Sequence, residues 1–214
     1  MVMDLTKDAD ALLAAMNQST RHQIKRAAEK DDLSYEYCGE STPSLIAQFC
    51  DFYDHFAAQK GLARLNRKQM QQYADGGALG LSRMKTRDEE TLVWHSYYCC
   101  PDRVRGLYTA SHFRDSGDAE TKRLVGRANR YHVWCDMLKF KADGVSTYDL
   151  GGWYNGSEDE AKLRINEFKH GFGGTIVREF NCEYGVTLKG KLYLRMRTIE
   201  TLRHALQLSG LTSR

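Results

Sequence analysis

Two glycine-bearing segments hold the residues best placed for chemistry: Tyr148-Asp149-Leu150-Gly151-Gly152 and, after a charged helical stretch, Phe168-Lys169-His170-Gly171-Phe172-Gly173-Gly174. The first has the pattern of a strand running into a turn, the second that of a helix closing on one. Glycine at such points lets the backbone take positive φ and lie close to a ligand. Lys169 stands just before the second turn, between Phe168 and Phe172. An ammonium there can stabilise the oxyanion formed when an amine attacks an acyl carbonyl. It can equally complement a helix dipole, with both phenylalanines as core. Asp149 ends the strand, where a carboxylate could accept the amine's proton or cap the turn through backbone N–H groups; Asp-Leu-Gly-Gly is good turn chemistry and favours the cap.

Cations recur elsewhere. Arg123-Leu124-Val125-Gly126-Arg127-Ala128 places two arginines around a glycine. If that glycine turn opens a helix, backbone N–H groups and the helix dipole would favour an anion; otherwise Gly126 permits close helix packing and the arginines form a solvated i, i+4 pair. Arg21 with Lys25, and His22 with Arg26, also fall at i, i+4, giving a helix with a cationic face suited to phosphate or simply to solvent. Tyr131, Tyr148, Trp153 and Tyr154 could wall a sugar or peptide acceptor, or pack as core. No histidine pairs with a cysteine or serine motif, and His132 with Cys135 reads as a half-buried helix face rather than a nucleophile and its base.

The two glycine motifs together resemble the closing half of the GNAT-like acyltransferase domain of the Fem family, the aminoacyl-tRNA-dependent enzymes that build peptidoglycan bridges. Met3-Asp4-Leu5-Thr6-Lys7 and Ser19 to Ala27 resemble that domain's opening, and Gly126-Arg127-Ala128-Asn129-Arg130-Tyr131 with Trp134 its central helix. The resemblance runs from about residue 3 to 184. It implies N-acyl transfer from acyl-CoA or aminoacyl-tRNA, with no permanently bound cofactor. It also implies Lys169 at the chemistry; read with it, Asp149 is the second catalytic candidate, and Arg123, Gly126, Arg127, Ala128, Phe168 and Gly173 are the candidates facing the donor. The acceptor, an amine on a cell-envelope sugar or peptide or on a small secondary-metabolite precursor, would meet Arg21, Lys25, Tyr131, Tyr148 and Tyr154. RxxGxA is, in acyl-CoA-dependent GNAT enzymes, a pyrophosphate-binding pattern. The Fem bridge enzymes carry two such domains in tandem and this chain has room for one, so a homodimer or partner subunit could replace the second.

Periodicity supplies the scaffold. Helices are predicted at 44–59, 66–73, 120–142, 158–170 and 198–208, the last capped by Thr198, and two more in the first thirty residues, with Ser19 as the second's N-cap. Strands are predicted at 33–38, 79–85, 91–100, 104–111, 147–150 and 175–187, the middle three forming a meander. This is an α/β (α+β) class fold, a mixed and mainly antiparallel sheet flanked by helices, as one domain over 1–214.

The chain has 214 residues, 42% hydrophobic and 28% charged with only 2 prolines, which excludes a disordered or repeat protein. No apolar run reaches membrane-spanning length and no secretory leader is visible, so the expected location is the cytoplasm. The 6 cysteines lack a CxxC pair, which points to reduced thiols and to no metal site. A net charge of +3 neither demands nor forbids tRNA.

Overall fold

The computed structural model describes residues 1–112, 118–180 and 182–208. The chain divides into two compact units, Met1–Val177 and Arg178–Arg214. Within the first unit the order is β1 (Val2–Asp4), α1 (Ala9–Ala15), α2 (Gln18–Lys30), β2 (Ser34–Cys38), α3 (Pro43–Lys60), α4 (Arg67–Asp75), β3 (Leu79–Lys85), β4 (Thr91–Cys99), β5 (Arg103–Ser111), α5 (Ala119–Ala142), β6 (Thr147–Asp149) and α6 (Glu160–His170). The strands make one 6-stranded sheet in the order β1-β6-β5-β4-β3-β2. All neighbours are antiparallel except β5 and β6, which run parallel because α5 forms the crossover between them.

Alternation along the strands sends side chains to opposite faces. On one face Leu81, Trp94 and Ala110 pack against α3 and α4 through Phe49, Tyr53, Phe56 and Met70. On the other, Val93, Tyr97, Val104 and Tyr148 meet α5 and the α1–α2 pair through Val125, Met137, Phe140, Leu12 and Ile24. The helices form where their sequences supply caps: Asp8, Asn17, Thr42, Asn66, Asp118 and Asp159 each accept a backbone N–H of the first turn. Asn17 Oδ1, accepting from Thr20 N at 2.7 Å, therefore holds the position expected for Ser19.

The strand expected at 175–187 is not formed among the described residues. Thr175 makes an isolated antiparallel bridge to Val2, after which the backbone is irregular. The β-branched Thr175-Ile176-Val177 run has strand character, but the backbone it meets is a strand of 3 residues, and antiparallel pairing carries it past that strand's end. In the second unit, α7 (Leu188–Leu208) begins ten residues before the helix expected there, with Thr187 Oγ1 accepting from Gly190 N at 3.0 Å. Thr198 lies inside it.

Gly173 requires its residue type: φ is +75°, and a Cβ would sit 2.1 Å from the Ala15 carbonyl oxygen. Gly173→Ala should cost at least about 2 kcal/mol through left-handed strain and backbone overlap, measured by urea unfolding. An unchanged midpoint would show that the α6 turn is not locked to α1.

Candidate functional site

The parallel β5–β6 pair opens where the two glycine motifs meet. Pairing runs from Arg103↔Thr147 to Arg105↔Asp149, and there β6 ends while β5 continues to Ser111. Gly106 follows the last pair. Opposite it, the β4 register shifts between Ser96 and Tyr97, so that Ser96 faces Tyr108 and Tyr97 faces Gly106, leaving Leu107 as the extra residue. The bulge reverses the side-chain alternation of β5: Val104 faces the α5 side, whereas Tyr108 and Ala110 face α3. Ser96 Oγ holds it, accepting from Tyr108 N at 3.2 Å. Beyond Gly106, β5 has no strand partner on the β6 side among the described residues.

Gly151 makes the turn at that opening, with φ of +79° and the Gly106 carbonyl 3.2 Å from where its Cβ would lie. Gly174 meets Val2 so closely that a Cβ would be 2.6 Å from its oxygen. Gly152 has neither positive φ nor a close neighbour, against the expectation for a glycine of these motifs. Its carbonyl matters instead: Lys169 Nζ donates to Gly152 O at 2.5 Å. One turn earlier on α6, buried Asn166 donates to Tyr154 O at 2.7 Å and accepts from Tyr154 N at 3.1 Å. Two side chains at i, i+3 therefore pin the loop after β6 to α6. Burial pulls the Lys169 ammonium below the ordinary lysine pKa, with Arg105 adding to the effect and Asp149 opposing it. Phe168 and Phe172 are edge to face at 5.3 Å, so Lys169 sits beside an aromatic pair.

Asp149 is buried and saturated. It accepts from Gly151 N at 2.7 Å and from Arg103 Nη2 at 2.5 Å, with Arg105 Nε at 3.6 Å. This geometry fits the turn cap rather than a free base. The RxxGxA segment differs more from expectation. Gly126 lies within α5, whose first residue is Ala119 and whose cap is Asp118, so no glycine turn opens the helix. Good helix formers on either side carry α5 through Gly126. Arg127 is almost fully covered and paired with Asp31 at 2.6 Å and Glu120 at 3.2 Å; Arg123 is exposed beside Glu120, and Ala128 is core.

Of the residues expected at an acceptor, Arg21 closes the C-terminus of α1 by donating to Ala14 O and Met16 O, and Lys25 is exposed near Glu29. Tyr131 packs in the core, its hydroxyl pKa pushed up to about 12 by burial. Tyr154 carries Lys162 over its ring at 5.1 Å. Tyr148 is fully buried and bonds Tyr97 Oη at 2.8 Å.

That bond belongs to a polar cluster under the sheet that sequence reasoning missed. Asp136 Oδ1 accepts from Tyr35 at 2.8 Å, and Oδ2 from Tyr97 at 2.6 Å and from His95 Nδ1 at 2.8 Å. His95 Nε2 meets Asn129 Oδ1 at 2.9 Å, and His132 Nε2 meets Ser82 Oγ at 2.8 Å. The signals were His132 and Asp136 at i, i+4 on one helix and His95 with Tyr97 alternating on one strand. His95, His132 and Asp136 offer ligand atoms within 4.8 Å of one another. The imidazoles are stacked parallel at 3.8 Å and 7°, and these atoms are engaged in hydrogen bonds with one another, Asn129 and Ser82. Cys135 does not pair with His132, and burial pushes its thiol up to about 12, so the thiol is no ready nucleophile.

No protein-family model matches the sequence, and no curated protein does. Solved structures do. The crystal structure of FemX matches with a TM-score of 0.64 at 16% identity, over 81% of this chain and 57% of that one. The C-terminal domain of a protein described as a lysylphosphatidylglycerol synthetase, from Agrobacterium fabrum, matches with a TM-score of 0.52 at 12% identity, over 81% of this chain and 52% of that one. The chain thus spans little more than half the length of either. The likeness is one of fold: a Fem-like GNAT acyltransferase fold, with a mixed and mostly antiparallel sheet between helices. No helix among the described residues is long and apolar enough to cross a membrane.

Proposed function

We propose that this chain is an N-acyltransferase that works at the opening between β5 and β6, passing an acyl or aminoacyl group from a carrier to an amine of a sugar, peptide or small molecule. The observation that carries the reading is the coincidence of three features: a length of β5 beyond Gly106 with no strand partner on its β6 side among the described residues, the Gly151 turn beside it, and the Lys169 ammonium fixed across the turn at Gly152 O. An extended donor arm bearing amides can add to an open strand edge as a further strand would. The amine nitrogen then attacks the acyl carbonyl, the carbonyl oxygen becomes an oxyanion, and collapse breaks the bond to the carrier's sulfur or oxygen. The amine's proton passes to the leaving atom or to water. Lys169 keeps two N–H donors after bonding Gly152 and can face the oxyanion. Asp149, held by Arg103 and Gly151 N, orients the turn.

A second reading narrows the donor to aminoacyl-tRNA for peptide-bond formation on a cell-envelope precursor. It is favoured by the start of α5, where the Asp118 carboxylate accepts the Thr121 N–H and leaves that helix end poorly suited to a CoA pyrophosphate. Acyl-CoA and aminoacyl-tRNA should be offered separately with a panel of amines, products being followed by mass spectrometry. We expect an amide from one donor class only. If neither donor binds and no amide forms, a GNAT-shaped binding module replaces the enzyme.

A further inference from the structure

Several arginines in the first unit carry visible counter-charges: Arg127 has Asp31 and Glu120, Arg83 has Glu36, and Arg103 has Asp149. Arg130, one turn beyond Gly126 on α5, does not. Its Nη1 donates to the Gly126 carbonyl at 3.1 Å, and its Nε is buried with no partner. Its guanidinium lies over the Phe168 ring at 5.1 Å from the centroid, and no carboxylate pairs with it among the described residues. Burial alone pulls its pKa down, with no neighbouring charge acting the other way. A ring face offsets only part of the hydration that a half-buried guanidinium loses. The unpartnered Nε lies on the flat edge of the guanidinium, and that planar edge suits the two oxygens of a carboxylate or phosphate.

We propose that Arg130 is an anion subsite, receiving a carboxylate or phosphate of a ligand bound beside Phe168, the residue that precedes Lys169. The inference does not need the acyl-transfer reading; if that reading holds, Arg130 would anchor the acidic end of the acceptor or carrier.

Thermal unfolding in rising pyrophosphate, and separately in citrate, tests it without any activity assay, against chloride at matched ionic strength. Wild type should gain Tm with the logarithm of anion concentration. Arg130→Gln should bind at least about tenfold more weakly, while Arg123→Gln, altering an exposed arginine already beside Glu120, should respond as wild type. Each variant is read against its own anion-free Tm. Should Arg130→Gln fail to fold, Arg130→Lys keeps the charge without the planar edge and should lose several-fold. A response to pyrophosphate alone assigns a phosphate ligand, and one to citrate alone a carboxylate. Equal responses in wild type and the Arg130 variant, or none in wild type, would overturn the proposal.

Discussion

Lys169→Met should leave the protein folded and still able to bind donor, yet slow acyl transfer by about two orders of magnitude. The methionine keeps the aliphatic stem beside Phe168 and Phe172, and what it removes is the ammonium that bonds Gly152 O. A hundredfold loss corresponds to about 2.7 kcal/mol of transition-state stabilisation, the range for deleting one oxyanion donor. Since burial lowers the pKa of this lysine, the rate should also fall on the alkaline side at a pH below that of an ordinary lysine. That limb should vanish in the methionine variant. Equal single-turnover rates in parent and variant would sink the catalytic assignment. A loss confined to KM would make Lys169 a ligand contact, and a lowered Tm with normal turnover would make it a clasp for the loop after β6.

The scaffold of this site was legible because its signals are local. The helix at 120–142 and the meander strands follow from periodicity and caps, and the structure places them within about a residue of expectation. Two elements escaped for a different reason. Residues 175–187 carry β-branched side chains, but a strand needs a partner, and local sequence does not report that β1 is only 3 residues long. The bulge at Leu107 is a feature of two strands together; its only trace in the chain is Gly106 inside an otherwise strand-like run.

Within the site, glycine positions were readable because conformational freedom belongs to a single residue. The ammonium-to-carbonyl link from Lys169 to Gly152 spans 17 residues, and Tyr35 reaches Asp136 across 101. Such pairings depend on how the sheet stacks on α5, which no local pattern states. Arg127 shows the converse error. Its sequence context suggested a phosphate ligand, but tertiary packing brings Asp31 against it, and a guanidinium already matched by two carboxylates has less to offer an anion.

The buried cluster around Asp136 should make the fold acid-labile in two stages. His132 has no exposed surface, and burial together with neighbouring His95 holds it well below the usual imidazole range. It stays neutral in the folded chain while the unfolded chain protonates below about pH 6.5. A depressed folded pKa means stability is fully present above that pH and declines below it, by up to about 1.4 kcal/mol per pH unit for one proton. Burial opposes the charge on Asp136, but the hydrogen bonds it accepts from His95 and Tyr97 help outweigh it, and its pKa lies below the usual carboxylate value. A second loss should therefore begin near about pH 4, where unfolded carboxylates take up protons and Asp136 does not. Urea unfolding between pH 3.5 and 7.5, in about half-unit steps, resolves both stages. His132→Gln should flatten the limb between about pH 6.5 and 4 and leave the lower one. Asp136→Ala should cost about 3–5 kcal/mol at pH 7, because it leaves the Tyr35 and Tyr97 hydroxyls and the His95 Nδ1 without their acceptor in a closed interior. Asp136→Asn, which retains one acceptor oxygen, should fall between alanine and wild type. Since Tyr97 also bonds Tyr148 in the middle of β6, one residue before Asp149, both variants should loosen the turn at Asp149, measurable as faster amide exchange at Gly151. An alanine variant as stable as wild type, with the same pH slope, would show that the cluster is filler rather than the polar anchor of the sheet on α5.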